Sequence, residues 1–313
     1  MKKSAKSIIV FIFLVILGFG LYYYYSHYTT PGRVLERDKV KDLKLPSEIA
    51  TTPDAYIGKI KLASWNIRVF SNKERDDIEL RRICQNLIKY DFIALLEVKD
   101  EQILQRTQNM LANMGRSYNY QVSEGVGRKV KERYAFLYDT AKISVLIPGQ
   151  VFPDTRDYFI REPYFATFSS GKFDFTVIAT HILYGDKASD RRAEIQHLAE
   201  VYDQVKNGNP EEKDVILVGD FNREPTDNVA FSNLRNIPSM TNLFNPPQKS
   251  VIYDSNLYDN IWFQTKYVKA YTGQKGIDKF DETDFANNDK AASLAVSDHR
   301  PVWAIFDTKL DGD

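Results

Sequence analysis

Polar residues that could do chemistry recur in this sequence where apolar, strand-like segments end. Two of its four histidines, His181 and His299, lie at such ends, and an imidazole can carry protons near neutral pH. Asp220, Asn222 and Asp298 also follow apolar segments, and their side-chain oxygens are ligands that Mg²⁺ or Ca²⁺ prefers. Because loops gather and ligands bind at strand ends in layered α/β folds, these five residues predict one centre for proton transfer and metal binding.

Two further polar residues lie in apolar surroundings and are candidates for the same centre. Glu97 ends the apolar run Asp91–Glu97 and is followed by Val98, and a carboxylate in such a place needs a partner or a metal ion. Asn66 lies between Trp65 and Ile67, so its amide also needs a partner. Both residues are therefore added to the predicted centre.

Each motif has a structural alternative when it is considered singly. The segment Asp220–Asn222 is compatible with a turn in which a side chain caps its own backbone. The segment Ser297–His299 is compatible with a loop that caps a helix. Only the combination of motifs separates catalysis from these local roles.

The elements that position these residues are mostly strands. Apolar runs and two-residue alternation predict strands at Ile60–Asn66, Asp91–Glu97, Arg133–Tyr138, Phe173–Thr180, Val215–Val218, Tyr258–Phe263 and Pro301–Phe306. Helical spacing of apolar residues predicts helices at Ile78–Lys89 and Asp190–Val205. Helices alternate with strands early and strands dominate later. The order predicts one α/β domain, a four-layer αββα sandwich of two packed mixed or antiparallel sheets with helices outside.

The composition excludes few classes of protein. The apolar fraction is 43% and the formal net charge is zero, so net charge argues neither for nor against a nucleic-acid partner. Cys84 is the single cysteine, which rules out an internal disulfide and a cysteine-based zinc cluster. Because it lies in an amphipathic helical pattern, Cys84 is interpreted as a buried apolar residue rather than a nucleophile.

The sequence predicts an export signal at the N-terminus. Residues 7–25 form an unbroken apolar run that is long enough to span a bilayer. Lysines precede the run and tyrosines follow it, which predicts a cytoplasmic N-terminus and a folded part outside the cytoplasm, either periplasmic or extracellular. The alternative is a secreted protein whose signal is cleaved. The length of the run and its aromatic end favour an uncleaved, single-pass anchor.

The chain is accordingly divided into four parts. Residues 1–6 are predicted to form the cytoplasmic N-terminus, and residues 7–25 are predicted to form one transmembrane helix that precedes the sandwich and contacts the lipid bilayer. Residues 26–57 contain several prolines with weak periodicity, which predicts a linker and entry segment. Residues 58–308 are predicted to form the catalytic domain.

Six segments together resemble a known family. They are Trp65–Arg68, Leu96–Asp100, Thr180–His181, Gly219–Asn222, Tyr258–Asp259 and Ser297–Val302. Their order and rough spacing are similar to those of the endonuclease/exonuclease/phosphatase superfamily. Further segments resemble its deoxyribonuclease I-like branch, namely Ser123–Glu124, Gly127–Arg128, Lys131–Tyr134 and Arg161–Pro163.

The resemblance implies roles for the polar residues. It implies that Mg²⁺ or Mn²⁺ sits on Glu97 and Asn66, with Asp298 beside it, and it leaves structural Ca²⁺ sites open. It pairs the two catalytic histidines with carboxylates: His181 with Glu132, and His299 with Asp259. It also implies that Asp220 and Asn222 orient the attacking water and the phosphate. His181 is the expected acid, and His299 the expected base or phosphate stabiliser.

Substrate contacts are implied at a second group of residues. These are Arg68, Lys99, Arg161, Glu124 and Arg128, for which solvated surface charge is the alternative. The chain departs from the family where DNA would be held. Val130 replaces a tyrosine that stacks on DNA, and Lys99 replaces an arginine, which removes a bidentate fork.

The expected function is an exported, membrane-anchored, metal-dependent phosphodiesterase. A deoxyribonuclease I-like endonuclease that hydrolyses DNA by in-line water attack is the first interpretation. A phospholipid phosphodiesterase of the sphingomyelinase type is the alternative, and a non-catalytic binding module is a remote one. DNA or another phosphodiester is the expected partner, and no obligate protein partner is implied.

Overall fold

The computed structural model describes residues 57–185 and 187–311. The predicted transmembrane helix, residues 7–25, and most of the linker lie outside these residues. Among the helices of the described ranges, none combines the length and the hydropathy of a membrane span.

Two six-stranded sheets form the centre of the domain. The strands are β1 (Lys59–Phe70), β2 (Phe92–Val98), β3 (Tyr118–Val122), β4 (Arg133–Asp139), β5 (Ser144–Val151), β6 (Tyr164–Ser170), β7 (Phe173–His181), β8 (Val215–Asp220), β9 (Met240–Asn242), β10 (Asp259–Gln264), β11 (Tyr271–Ile277) and β12 (Val302–Asp307). The helices are α1 (Asp77–Leu87), α2 (Glu101–Asn113), α3 (Ala188–Gly208), α4 (Ser232–Asn236), α5 (Phe280–Thr283) and α6 (Asp289–Ala295).

Each sheet contains one parallel pair near its middle. The first sheet has the order β11-β12-β1-β2-β4-β3, and the second has the order β5-β6-β7-β8-β10-β9. Strand β1 runs parallel to β2, and β7 runs parallel to β8, while the other neighbours are antiparallel. The carboxyl ends of four buried strands therefore lie at the two parallel pairs, where ligands bind in open α/β sheets.

Aromatic side chains fill the space between the two sheets. The ring of Phe92 in the first sheet lies 4.9 Å from that of Phe168 and 5.8 Å from that of Phe175 in the second. Both contacts are edge-to-face, the arrangement that aromatic rings favour. Phe136 also contacts Phe168, at 5.7 Å. Truncation of one such ring to alanine costs about 3–5 kcal/mol, so this layer fixes the two sheets against each other.

Helices cover the outer faces of the sheets. Helix α3 buries Ile195 and Leu198 against Ile178 and Leu217 of the second sheet. On the first sheet, Trp65 of β1 packs against Phe280 of α5, with ring centroids 5.6 Å apart. The predicted α/β sandwich of two mixed sheets with helices outside is confirmed.

Cys84 lies inside the helical layer of the first sheet, where it contacts α2. It is fully buried, and its sulfur lies 4.0 Å from the carbonyl oxygen of Thr107. Burial raises the pKa of the Cys84 thiol to about 12, so the reactive thiolate does not form near neutral pH. The prediction of a buried apolar role is in agreement with this environment.

Candidate active site

Three acidic or imidazole side chains are neighbours across the second sheet. His181 at the end of β7 is the register partner of Asp220 at the end of β8. Asp259 at the start of β10 is the antiparallel partner of the same Asp220. A Cβ atom on Gly219 would lie 1.9 Å from the carbonyl oxygen of Thr180, so only glycine lets β7 and β8 approach this closely beside the centre.

Asn66 links the two sheets. Its side-chain nitrogen donates to Glu97 Oε1 at 3.2 Å and to Asp220 Oδ2 at 3.1 Å. The backbone N–H of Val69 donates to the other oxygen of Glu97, at 2.9 Å. Glu97 itself has a φ of 62°, a strained left-handed conformation that directs a side chain at a specific point. One amide thus joins carboxylates from the ends of β2 and β8.

His181 forms a buried pair with Glu132. Its Nδ1 lies 2.6 Å from Glu132 Oε1, and the Glu132 carboxylate also lies 2.8 Å from Arg161 Nε and 3.4 Å from Lys99 Nζ. Burial opposes ionisation of Glu132, but attraction to His181 and to the two cations lowers its pKa to about 2. Burial likewise opposes charging of His181, but Glu132 raises the pKa of that imidazole above its ordinary value.

His299 forms the second pair, with Asp259. Its Nδ1 lies 2.7 Å from Asp259 Oδ2, and its carbonyl oxygen accepts a 2.7 Å hydrogen bond from the indole of Trp65. The Ser250 hydroxyl accepts from the Asp259 backbone N–H at 3.0 Å. Burial disfavours the imidazolium, but the charges of Asp259 and Asp220 raise the pKa of His299 well above its ordinary value.

The two imidazoles face the same aspartate oxygen. His181 Nε2 and His299 Nε2 each lie 3.7 Å from Asp220 Oδ2. Because each Nδ1 is held by its own carboxylate, each Nε2 is directed into the space beside Asp220. The arrangement brings two proton carriers to one carboxylate.

Asn222 is held beside Asp220. Its backbone N–H donates to Asp220 Oδ1 at 2.8 Å, and its side-chain nitrogen donates to the Ile182 carbonyl oxygen at 2.7 Å. A side-chain amide nitrogen carries two N–H groups. Because one of them is fixed by its bond to Ile182, the direction of the other is fixed as well. The structure thus fixes Asn222 between the segments that carry His181 and Asp220.

The donor set at this centre fits a divalent cation with oxygen ligands. In the described ranges Glu97 makes no ion pair with a lysine or arginine, and Asp220 pairs only with the two imidazoles. A carboxylate without a cationic partner, as at Glu97, can serve as an oxygen ligand of Mg²⁺. Oxygen and nitrogen atoms of Asp220, Asp259 and His299 also lie within 4.8 Å of one another. That group and the Glu97–Asn66 pair share Asp220 as their common neighbour.

Asp298 and Arg68 lie at the edge of the centre. Arg68 Nε lies 3.6 Å from Asp298 Oδ2, and the Asp298 side chain is 42% exposed. The Arg68 guanidinium also donates to the Ser293 carbonyl oxygen at 2.6 Å. Asp298 therefore has a cationic partner in this structure, unlike Glu97.

The other predicted substrate residues divide into two groups. Lys99 and Arg161 are connected to the centre by their ion pairs with Glu132. Arg128 is exposed and pairs with Asp157 at 2.8 Å, and Glu124 is exposed. In the described part of the chain, neither Arg128 nor Glu124 contacts the buried centre.

One residue at the centre was not predicted from the sequence. Glu194 of α3 is buried, and its two oxygens accept from the backbone N–H groups of Ile160, at 2.6 Å, and Leu183, at 2.8 Å. Ile160 precedes Arg161, and Leu183 follows His181 by two residues. Glu194 therefore holds two active-site loops together. An acidic residue inside a helix gives no signal of this role, because such residues are usually solvated.

Glu194→Gln is expected to destabilise the domain by about 1–3 kcal/mol, because one buried N–H then loses its acceptor. The urea concentration at the midpoint of unfolding measures this loss of stability. Glu200→Gln, on the same helix with a side chain 40% exposed, serves as the matched control. Equal midpoints for the two variants would show that Glu194 does not hold the loops.

The Glu132–His181 pair predicts a defined pH dependence of stability. The folded pKa of Glu132 is depressed from 4.5 to about 2, so its contribution is present above pH 4.5 and is lost as pH falls toward 2. The folded pKa of His181 is raised from 6.5, so its contribution is present below pH 6.5 and is lost as pH rises through the folded value.

Glu132→Gln is therefore expected to flatten the stability curve at its acid end. Urea midpoints between pH 2 and pH 5 provide the measurement, since this interval contains both pKa values of Glu132. If the urea midpoints of the variant and of the unmodified protein changed in parallel with pH, the depressed pKa of Glu132 would be contradicted.

Paired histidines around a shared aspartate, at the strand ends of a two-sheet α/β sandwich, are an arrangement that suits proton transfer in phosphoester hydrolysis. Comparison of sequences agrees with this class of protein. The profile of the Endonuclease/Exonuclease/phosphatase family matches residues 63–299. The chain belongs to this family, and its relatives place it in the deoxyribonuclease I-like branch. The resemblance predicted from the motifs is confirmed.

Relatives and solved structures show the extent of the similarity. A deoxyribonuclease of Thioalkalivibrio sp. (strain K90mix) is 30% identical over 272 residues, which cover 83% of this chain and 74% of that protein. Deoxyribonuclease-1 of Bos taurus is 29% identical over 261 residues, covering 78% of this chain and 90% of that protein. The structure of D. rerio TDP2 with a single-strand DNA product is 15% identical with a TM-score of 0.56, covering 80% of this chain and 99% of that chain. At this identity, the structural likeness shows a shared fold alone.

Proposed function

We propose that the chain is a metal-dependent deoxyribonuclease that hydrolyses DNA phosphodiester bonds by in-line attack of water. The observation that carries this proposal is the position of both Nε2 atoms, 3.7 Å from the same Asp220 oxygen. The names of the two deoxyribonuclease relatives support DNA as the substrate.

The side chains supply the protons and charges that hydrolysis needs. The Asp220 carboxylate orients a water molecule and accepts its proton as the water oxygen bonds to phosphorus. The bond from phosphorus to the leaving oxygen breaks, and protonated His181 donates its Nε2 proton to that oxygen. His299, whose pKa is raised well above the ordinary value by Asp259 and Asp220, is a cation that stabilises charge on the non-bridging oxygens.

A divalent cation would be held by Glu97 beside Asp220, helped by Asn66, whose side-chain nitrogen donates to both carboxylates and so would position them. When bound, Mg²⁺ or Mn²⁺ supplies positive charge to a non-bridging oxygen of the phosphate. Glu97 contributes through its φ of 62° and its bond from Val69, which direct the carboxylate before the cation arrives. Asp298 lies near enough to Arg68 to act at the edge of the site.

Arg161 is the residue best placed to contact a phosphate of the DNA strand. Its Nη1 is buried and makes no hydrogen bond within the described ranges. A buried donor without a partner costs free energy, and a phosphate oxygen satisfies an arginine well. Lys99, 3.4 Å from Glu132, provides a second positive charge on the same side.

We further propose that residues 7–25 anchor the enzyme in a membrane and that residues 58–308 act outside the cytoplasm. The length of the apolar run and the preceding lysines support this. Alkaline washing of cell membranes provides the test, because an anchored chain stays in the membrane pellet. Recovery of a shortened chain in the exported soluble fraction would contradict the anchor.

A panel of three substrates tests the proposed reaction. The purified full-length chain is incubated with Mg²⁺ and supercoiled plasmid, RNA or sphingomyelin vesicles. Nicking of the plasmid that a chelator stops is the expected result. Hydrolysis of sphingomyelin alone would replace the proposal with the phospholipid alternative.

A further inference from the structure

A buried arginine, Arg75, lies between two segments of the catalytic centre. It belongs to the loop between β1 and α1 and is 4% exposed. Its guanidinium nitrogens donate, at 2.5–3.2 Å, to four backbone carbonyl oxygens, which are those of Ile67, Arg68, Leu294 and Val296. Because a guanidinium presents its donors in a rigid planar fork, this side chain fixes the distance between the two pairs of oxygens.

Each pair of oxygens belongs to a segment that carries residues of the centre. The first segment directly follows Asn66, whose side chain donates to Glu97 and Asp220. The second segment ends α6 and leads into His299. Arg75 therefore links the carboxylate side of the centre to the segment that carries the second imidazole.

One peptide group connects Arg75 to Glu97. The Arg68 carbonyl oxygen accepts from Arg75 at 2.5 Å, and the Val69 N–H of the same peptide group donates to Glu97 Oε2 at 2.9 Å. Since a peptide group is planar, the bond at its oxygen also sets the direction of its N–H. Arg75 therefore helps to aim the N–H that holds the Glu97 carboxylate.

This peptide group lies in a strained part of the loop. Arg68 and Val69 have φ angles of 49° and 45°, within the left-handed region that costs free energy for residues other than glycine. Such a conformation persists only where surrounding contacts hold it. The bond from Arg75 is one of these contacts, so its loss lets the peptide group turn away from Glu97.

A serine reinforces the junction on the side of His299. The Ser297 hydroxyl donates to the Asn66 carbonyl oxygen at 2.6 Å and accepts from the His299 N–H at 3.1 Å. The carbonyl oxygen of Val296, which precedes Ser297, accepts from Arg75 at 2.9 Å. These bonds at neighbouring residues fix how far His299 lies from the end of β1.

We propose that Arg75 is a positioning residue that aims Glu97 and holds His299 in place relative to it. The inference rests on the proposed function and adds to it a residue that does not touch the substrate. Because the protein covers nearly all of the Arg75 side chain, a DNA phosphate does not reach it. Its effect is therefore on the rate of reaction in the bound complex rather than on binding.

Replacement of Arg75 by lysine tests this role. Lysine keeps the charge but presents one ammonium group in place of the planar fork. With Mg²⁺ and plasmid, the kcat of the full-length chain is expected to fall about 100-fold, the cost of a small misplacement at a reacting centre, while KM for DNA stays unchanged. Without added metal, hydrogen exchange of the Val69 N–H, followed by mass spectrometry, is expected to quicken about tenfold. Arg75→Gln, which can still donate to two of the four oxygens, takes the place of Arg75→Lys if the latter does not fold.

Arg116→Lys is the matched control. Arg116 also donates to a backbone carbonyl oxygen, that of Ile88 at 2.5 Å. It pairs with Asp91 and Asp139, at the ends of β2 and β4 that lie away from Glu97. The control is expected to lower the urea midpoint of unfolding, as Arg75→Lys does, but to leave kcat and the exchange of the Val69 N–H unchanged.

Three outcomes would overturn the positioning role while leaving the nuclease function intact. They are an unchanged kcat in folded Arg75→Lys, an unchanged exchange rate of its Val69 N–H, and losses of kcat that are equal in Arg75→Lys and Arg116→Lys. The last would show that the loss of activity reflects general destabilisation. Failure of the unmodified protein to cleave plasmid would overturn the proposed function and the positioning role with it.

Discussion

Replacement of His181 by alanine is expected to lower kcat/KM for DNA by about 10²–10⁴-fold, the usual contribution of a positioned acid or base. The leaving oxygen then departs without the proton that His181 Nε2 donates. Removal of the imidazole also leaves Glu132 buried beside Arg161 and Lys99 without its closest partner. The rate of plasmid nicking at saturating Mg²⁺ provides the measurement.

The matched control for this variant is His197→Ala. His197 lies on α3 and stacks on Tyr158 at 3.5 Å, outside the catalytic centre. Its replacement is expected to leave the nicking rate unchanged. A folded His181→Ala protein that nicks plasmid at the rate of the control would show that the imidazole is not part of the chemistry.

Replacement of Glu97 by glutamine is expected to raise the Mg²⁺ concentration needed for half-maximal activity by at least about 100-fold, since loss of even an outer-shell partner of a metal site commonly costs 10–100-fold in affinity. Glutamine keeps the shape of Glu97 and can still accept from Val69, but it removes the negative charge. Nicking rates measured as a function of free Mg²⁺ distinguish a lost binding site from a lost catalytic group.

Glu211→Gln controls for the charge change, because Glu211 is exposed near the end of α3. Its Mg²⁺ dependence is expected to match that of the unmodified protein. An unchanged Mg²⁺ dependence for Glu97→Gln would place the cation elsewhere, with Asp220, Asp259 and His299 as the next candidate group.

The buried strands could be predicted from sequence because the apolar run that marks each of them lies within the strand itself. The runs that became β2 and β8 are apolar on both faces, and in both strands most residues are fully buried. Strand β5 alternates between exposed and half-buried residues and contains Pro148 and Gly149, so its sequence resembles a loop. Strand β11 is at the edge of its sheet and contains two glycines. Edge strands carry a weak apolar pattern, so pairing with a neighbour decides their conformation.

The pairings inside the centre could not be derived from residue spacing. His181 and Glu132 are 49 residues apart, and His299 and Asp259 are 40 apart. Local pattern carries no information on contacts at such separations, so both pairs were expected from the family resemblance alone. The role of Asn66 as a bridge between Glu97 and Asp220 emerged only from the fold, which brings the two sheets together at their strand ends.

Surface charges were the least predictable part of the site. Lys99 and Arg161 contact Glu132, but Arg128 pairs with Asp157 instead. All are basic residues in or near the same motifs, and sequence does not show which of them a neighbouring carboxylate holds.

The origin of the oxygen in the product tests the central claim most directly. Plasmid or oligonucleotide is cleaved in water enriched in oxygen-18, and the new ends are analysed by mass spectrometry. Attack of water at phosphorus, oriented by Asp220 between His181 and His299, predicts one labelled oxygen in each new terminal phosphate and none in the sugar hydroxyl. Label in the sugar hydroxyl, or cleavage that incorporates no label, would contradict the proposed reaction.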